Sequence, residues 1–136
     1  MAMTTNRRFD TFTEGYLECA LWSSTDVVDG EDVELDTFSL DDLSDEVTRD
    51  AITDCTLFQN QNAGDLEERG FHLEQDGHDF WLTRNRHGTG FWDRGTGDAG
   101  NRLTAAAEKF GEYDLYIGDD GKIYGYGMSI YDRSKL

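Results

Sequence analysis

Proline is absent from all 136 residues, so glycine and Asx residues must make every turn. Cysteine is nearly absent as well. Cys19 and Cys55 are the only two, and no Cys-x-x-Cys occurs, which excludes a zinc ribbon or a thioredoxin-like site. Both lie in segments that read as apolar helix faces and are expected to be buried thiols of a reducing cytoplasm. No apolar run approaches the length of a membrane span, and the N-terminus shows no signal peptide. Positive charge is scarce: twelve Lys/Arg stand against twenty-nine Asp/Glu, a net charge of −17. Such a chain repels anionic lipid and phosphate, so neither membrane nor direct nucleic-acid binding is expected. No Gly-x-Ser-x-Gly occurs and neither cysteine has an adjacent base, so no catalytic nucleophile is indicated.

What is present is aromatic and acidic. Eight Phe, six Tyr and three Trp are enough to build a core, which separates this chain from a disordered acidic tail. The length fits one domain burying roughly two-thirds of its unfolded surface. Residues 1–10 read as a flexible leader, 11–128 as a single domain, and 129–136 as a flexible tail. The acids are unevenly spread. Twelve lie between Asp26 and Asp54, with Arg49 as the only base among them. The remainder of the chain beyond residue 70 is close to balanced. Crowding of this kind raises self-repulsion in the folded state and points to a cationic partner.

Apolar spacing predicts a helix from Thr11 to about Trp22, then a solvated acidic loop over 25–38 with a short strand near Val33–Leu35. Ser39 and Asp42 suggest a capped turn over Leu40–Leu43. Ser44 caps a longer helix, over 44–62, whose ladder is Val47, Ala51, Cys55 and Phe58. Three strands are expected next, at His72–Glu74, His78–Arg84 and Thr89–Asp93. A helix over 101–110 and a hairpin of Tyr113–Ile117 with Lys122–Tyr126 complete the chain. The expected fold is α+β: an antiparallel sheet of four or five strands packed with about three helices.

Several constellations invite a chemical reading. His78, Asp79, His87 and Asp93 would lie at neighbouring strand ends and form the alternative metal or acid–base site, with Arg84 beside them in a small enzyme or nucleotide-binding protein. Histidines at turns and strand ends are more often structural, and no catalytic residue, metal or cofactor is assigned. Gly95-Thr96-Gly97-Asp98-Ala99-Gly100 matches a dinucleotide fingerprint, but it lacks a parallel βαβ unit and Asp98 would repel phosphate; a connection leading into a helix is preferred. Trp81, Phe91 and Trp92 near Arg84, Arg86 and Arg94 resemble a base-stacking surface, although the domain needs these rings for its core. Residues Asp26 to Glu34 lack the acid spacing of an EF-hand.

Gly77-His78-Asp79-Phe80-Trp81-Leu82-Thr83-Arg84-Asn85 with His87-Gly88-Thr89-Gly90-Phe91-Trp92-Asp93-Arg94-Gly95, together with Tyr16–Ser24 and Tyr116–Tyr124, resembles a group of small acidic proteins encoded by bacteriophages and prophages. The resemblance spans roughly residues 12–125. It implies a phage origin and a cytoplasmic role in an infected bacterium, and it supplies no catalytic residue. In that setting the charge pattern predicts a non-enzymatic inhibitor of anti-CRISPR or anti-restriction type, the alternative reading of the same acids being a solvated face for solubility or high-salt adaptation. The inhibitor's carboxylates would imitate the charge of DNA, one per ~1.7 Å of duplex axis, in the basic groove of a host protein. Asp29, Glu31, Asp32, Glu34 and Asp36 would act from the loop; Asp41, Asp42, Asp45, Glu46, Asp50 and Asp54 would act from helical positions. A structural phage protein is a further alternative, and a two-fold homodimer would double the charged surface.

Overall fold

Asp10 opens the first helix, α1 (Thr11–Ser23), by accepting the Thr13 amide at 2.8 Å. The computed structural model describes residues 9–87, 90–91 and 97–127. Within them, α1 leads into a hairpin of β1 (Thr25–Val28) and β2 (Glu31–Glu34). Asp29 and Gly30, at φ 54° and 82°, make its two-residue turn, a backbone that Asp-Gly adopts at low cost. Two single 3₁₀ turns, Leu35–Thr37 and Leu40–Asp42, connect it to α2 (Asp45–Gln61). The second turn is closed by a Ser39–Asp42 capping box, and Ser44 Oγ caps α2 by accepting the Val47 amide at 3.2 Å. Then follow α3 (Ala63–Glu68), α4 (Leu73–Arg84), α5 (Gly97–Glu108) and the hairpin β3 (Tyr113–Ile117) with β4 (Ile123–Gly127).

The fold is α+β, but the described residues hold two separate two-stranded antiparallel sheets rather than one of four or five strands. The main reason is α4. Residues 73–84 coil as one helix where two strands and a turn were expected at 72–84. Its buried residues are Asp76, Gly77, Asp79, Phe80, Trp81, Thr83 and Arg84, of which only Phe80 and Trp81 are large and apolar. The third expected strand, Thr89–Asp93, falls largely outside the described residues, as do the leader to residue 8 and the tail. The acidic segment over 25–38 forms a hairpin instead of a loop with one strand. It meets β3 through a side chain, Asp26 Oδ2 accepting the Ile117 amide at 2.8 Å, and not through a backbone ladder. On the other edge, the Ser44 amide bonds the Ile123 carbonyl at 2.8 Å, so the start of α2 abuts β4.

The core is an aromatic stack. Phe58 lies over Phe80 at 4.3 Å between centroids, with Phe91 at 5.6 Å on its far side and Phe110 edge-on to Phe80 at 5.1 Å. All four rings are fully buried, as is Phe12, each contributing roughly 1.5–3 kcal/mol. Cys19 and Cys55 are buried free thiols, and burial pushes Cys19 up to about 12 and Cys55 well above its ordinary value. Gly15 and Gly77 let α1 and α4 cross in backbone contact: a Cβ on Gly77 would overlap the Phe12 carbonyl, and one on Gly15 the Glu74 carbonyl.

Two buried charge networks complete the interior. The Arg84 guanidinium donates to Asp54 Oδ2 (2.8 Å), Tyr16 Oη (3.0 Å) and the carbonyls of Phe110 (3.0 Å) and Gly111 (2.8 Å). Its burial opposes the charge, but Tyr16 and Asp54 outweigh this and hold its pKa above the ordinary value. Nearby, Arg69 reaches Asp76 and Asp79, each at 3.2 Å, with its guanidinium over the Phe91 ring. Gln75 donates to the other carboxylate oxygen of Asp79 at 3.0 Å. Burial, reinforced by the neighbouring Asp79, pushes Asp76 up to about 6 against the pull of Arg69.

Candidate functional site

The eleven acids expected at the partner surface divide by burial. Asp29, Glu31, Asp32, Glu34, Asp36, Asp41, Asp45 and Glu46 are exposed, eight of the eleven. Asp42 is half-buried because its carboxylate caps the Ser39 amide at 2.8 Å. Asp50 is half-buried and accepts the Tyr113 hydroxyl at 2.8 Å. Asp54 is fully buried on Arg84 and cannot reach a partner, which corrects its assignment to the surface. Position on the α2 face decides this: Asp54 lies next to Cys55 and one turn before Phe58, both on the core stripe.

The eight exposed acids form no ion pair among the described residues. Some acids elsewhere are matched: Arg102 holds Asp65 at 2.7 Å and Glu68 at 3.6 Å, and Arg86 lies 3.8 Å from Glu108. The unmatched charge sits in two groups flanking hairpin β3–β4. Hairpin β1–β2 lies against β3, and Asp45 and Glu46 stand at the start of α2 beside β4, where the helix dipole favours them. The turn of β3–β4 adds exposed Asp119 and Asp120. A shallow cavity of 340 Å³ joins Asp120, Lys122 and Tyr124 to Asp45 and Glu46.

Sequence reasoning missed the apolar parts of this surface. Tyr116 and Tyr124 pair across the hairpin at 6.0 Å between centroids, and Tyr126 lies 6.0 Å from Tyr116 on the same outward face. Asp120 accepts the Tyr124 hydroxyl at 2.7 Å, which raises that phenol's pKa. Trp22 is 70 % exposed and walls a groove of 370 Å³ with Leu21, Phe38 and Leu40, rimmed by Glu18 and Asp36. The outward alternation of Tyr116, Tyr124 and Tyr126 was readable from the hairpin. Trp22 carried no comparable signal, since it falls at the end of an apolar helix.

The alternative centre dissolves. His78 and Asp79 are neighbours on α4, and the Asp79 carboxylate is committed to Arg69 and Gln75. His87 lies beyond the helix end, in a cleft lined by Ser23, Trp81, Asn85 and Tyr113. Asp93 lies outside the described residues. Trp81, Phe91 and Arg84 are buried, which removes three members of the base-stacking surface; Trp92 and Arg94 lie outside the described residues. The second half of the glycine-rich motif, Gly97–Gly100, is the first turn of α5, four residues earlier than the expected helix start, while Gly95 and Thr96 lie outside the described residues. The segment from Asp26 to Glu34 is a hairpin, as unlike a calcium loop in structure as in spacing. Among the described residues no helix is long and apolar enough to cross a membrane. Comparison with family models, curated proteins and solved structures found no match to this chain.

Proposed function

We propose that this chain is a phage-encoded, non-enzymatic inhibitor that occupies the basic nucleic-acid-binding groove of a host defence or nucleic-acid-processing protein. The observation that carries the reading is the set of eight exposed carboxylates between Asp29 and Glu46 without an ion pair among the described residues. Unmatched like charges destabilise the free protein and are relieved only by a cationic partner or by salt. The charge supplies steering and a fast on-rate. Durability comes from Trp22 and from Tyr116, Tyr124 and Tyr126, residue types that anchor protein interfaces once desolvated. Asp54 takes no part, and Asp50 is held by Tyr113.

The test is a charge-neutral variant carrying Glu31→Gln, Asp32→Asn, Glu34→Gln, Asp45→Asn and Glu46→Gln. It is expected to fold as the parent does and to lose capture of the host partner. A control carrying Asp65→Asn and Glu108→Gln, which removes matched acids, should retain capture. Equal retention by both variants refutes the reading.

A further inference from the structure

The close crossing of α1 and α4 brings three ligand-type side chains together beside the Trp22 groove, whose rim Glu18 shares. Glu18 stands one turn after Gly15 on α1, Glu74 lies three residues before Gly77 on α4, and His78 follows Glu74 at i+4 on the same helix face. One carboxylate oxygen from each glutamate and one ring nitrogen of His78 all lie within 4.8 Å of one another. We propose that Glu18, Glu74 and His78 form a binding site for a divalent transition-metal ion of the Zn²⁺ or Co²⁺ type, open to water on its outer side.

The donor set fits that class. One imidazole with two carboxylates suits borderline metals better than calcium or magnesium, which favour oxygen alone. Three protein ligands with open positions for water are the pattern of an accessible zinc site. Zn²⁺ bonds of about 2.0–2.2 Å place ligand atoms about 3.4 Å apart in tetrahedral geometry, so rotations of about an ångström complete the set. Both glutamates are exposed and able to make them. His78 carries a second, independent sign. Its Nε2 is buried and has no hydrogen-bond partner, in a half-buried residue on a helix with polar neighbours. Glu18 and Glu74 bring two carboxylates together at the crossing, a repulsion a cation would remove. Crowded carboxylates alone bind ions diffusely; the histidine and the rigid Gly15/Gly77 crossing make this set specific. The inference stands independently of the proposed inhibitor role.

The experiment is a Zn²⁺ titration of the full chain by calorimetry, with Co²⁺ absorption as a spectroscopic readout and Mg²⁺ measuring diffuse binding to the acidic surface. One Zn²⁺ should bind per chain, with visible Co²⁺ bands. His78→Ala and Glu74→Gln should each weaken Zn²⁺ by at least about tenfold, since even outer-shell partners have that effect. His87→Ala, outside the cluster, should leave binding unchanged. Glu18→Gln covers the case in which either α4 variant fails to fold. Zn²⁺ binding no stronger than Mg²⁺, or undiminished in Glu18→Gln and Glu74→Gln, overturns the proposal.

Discussion

Replacing Arg84 by Met should remove most of the stability of this domain. The change deletes one cation and leaves four acceptors facing each other in the interior: Asp54 Oδ2, Tyr16 Oη and the carbonyls of Phe110 and Gly111. Each neutral acceptor left dry costs about 1–3 kcal/mol, and an uncompensated buried carboxylate about 3–5 kcal/mol. Even the lower values sum to about 6 kcal/mol, against a typical domain stability of about 5–15 kcal/mol. Arg84→Lys should recover little, because an ammonium cannot reach these acceptors with a planar fork. Asp54→Asn keeps an acceptor and should cost less, about 2–3 kcal/mol. Urea denaturation followed by circular dichroism measures all three, and the Arg84→Met/Asp54→Leu double variant gives the coupling. That coupling should exceed about 1 kcal/mol, because removing both partners leaves no stranded charge. Arg84→Met and Asp54→Asn both within about 1 kcal/mol of the parent would refute the reasoning.

Asp76 predicts a pH dependence. Its folded pKa of about 6 lies above the ordinary value of 3.8, so the folded state binds the extra proton between these values. The resulting stabilisation is full below pH 3.8 and fades as pH rises through 6. Relative to Asp76→Asn, the parent should lose up to roughly 3 kcal/mol between pH 4 and pH 7.5 in urea melts; a constant difference contradicts this. Gly77→Ala should cost about 3 kcal/mol or more through overlap with the Phe12 carbonyl, lowering the melting temperature by on the order of 10 °C, and an unchanged melt argues against the crossing. Cys19 and Cys55 should resist a thiol reagent at pH 8 in native buffer and react at once in denaturant; fast native labelling contradicts their burial. Trp22→Ala should leave the fold intact and speed release of the captured partner, measured by surface plasmon resonance, and an unchanged off-rate removes Trp22 from the interface.

The sequence made some elements plain because their chemistry was conventional. Ser44 as a cap, the Val47, Ala51, Cys55 and Phe58 ladder, and the Gly118–Gly121 hairpin turn all appear where local rules put them. Helix α4 was hidden because most of its buried residues, Asp76, Gly77, Asp79, Thr83 and Arg84, are not apolar, which left Phe80 and Trp81 without a helical hydrophobic period. Its buried acids are held by Arg69, which precedes the helix by only a few residues and carried no distinguishing pattern. The hairpin β1–β2 had a usable signal in Asp29-Gly30 between Val28 and Val33, outweighed by the acids around it. At the candidate surface, charge composition located the exposed carboxylates but not burial, which only the rotation of α2 reveals, so Asp54 was grouped with them. The Glu18, Glu74 and His78 cluster depends on a helix crossing that no local pattern encodes.

The most direct test of the inhibitor reading is affinity capture of a host protein with the immobilised chain, followed by competition between the soluble chain and duplex DNA for that protein. The expected result is mutual exclusion at low salt, capture abolished in about 0.5 M salt, and no competition from the variant lacking five surface acids. A captured protein that still binds DNA, or retention unaffected by salt, would contradict it.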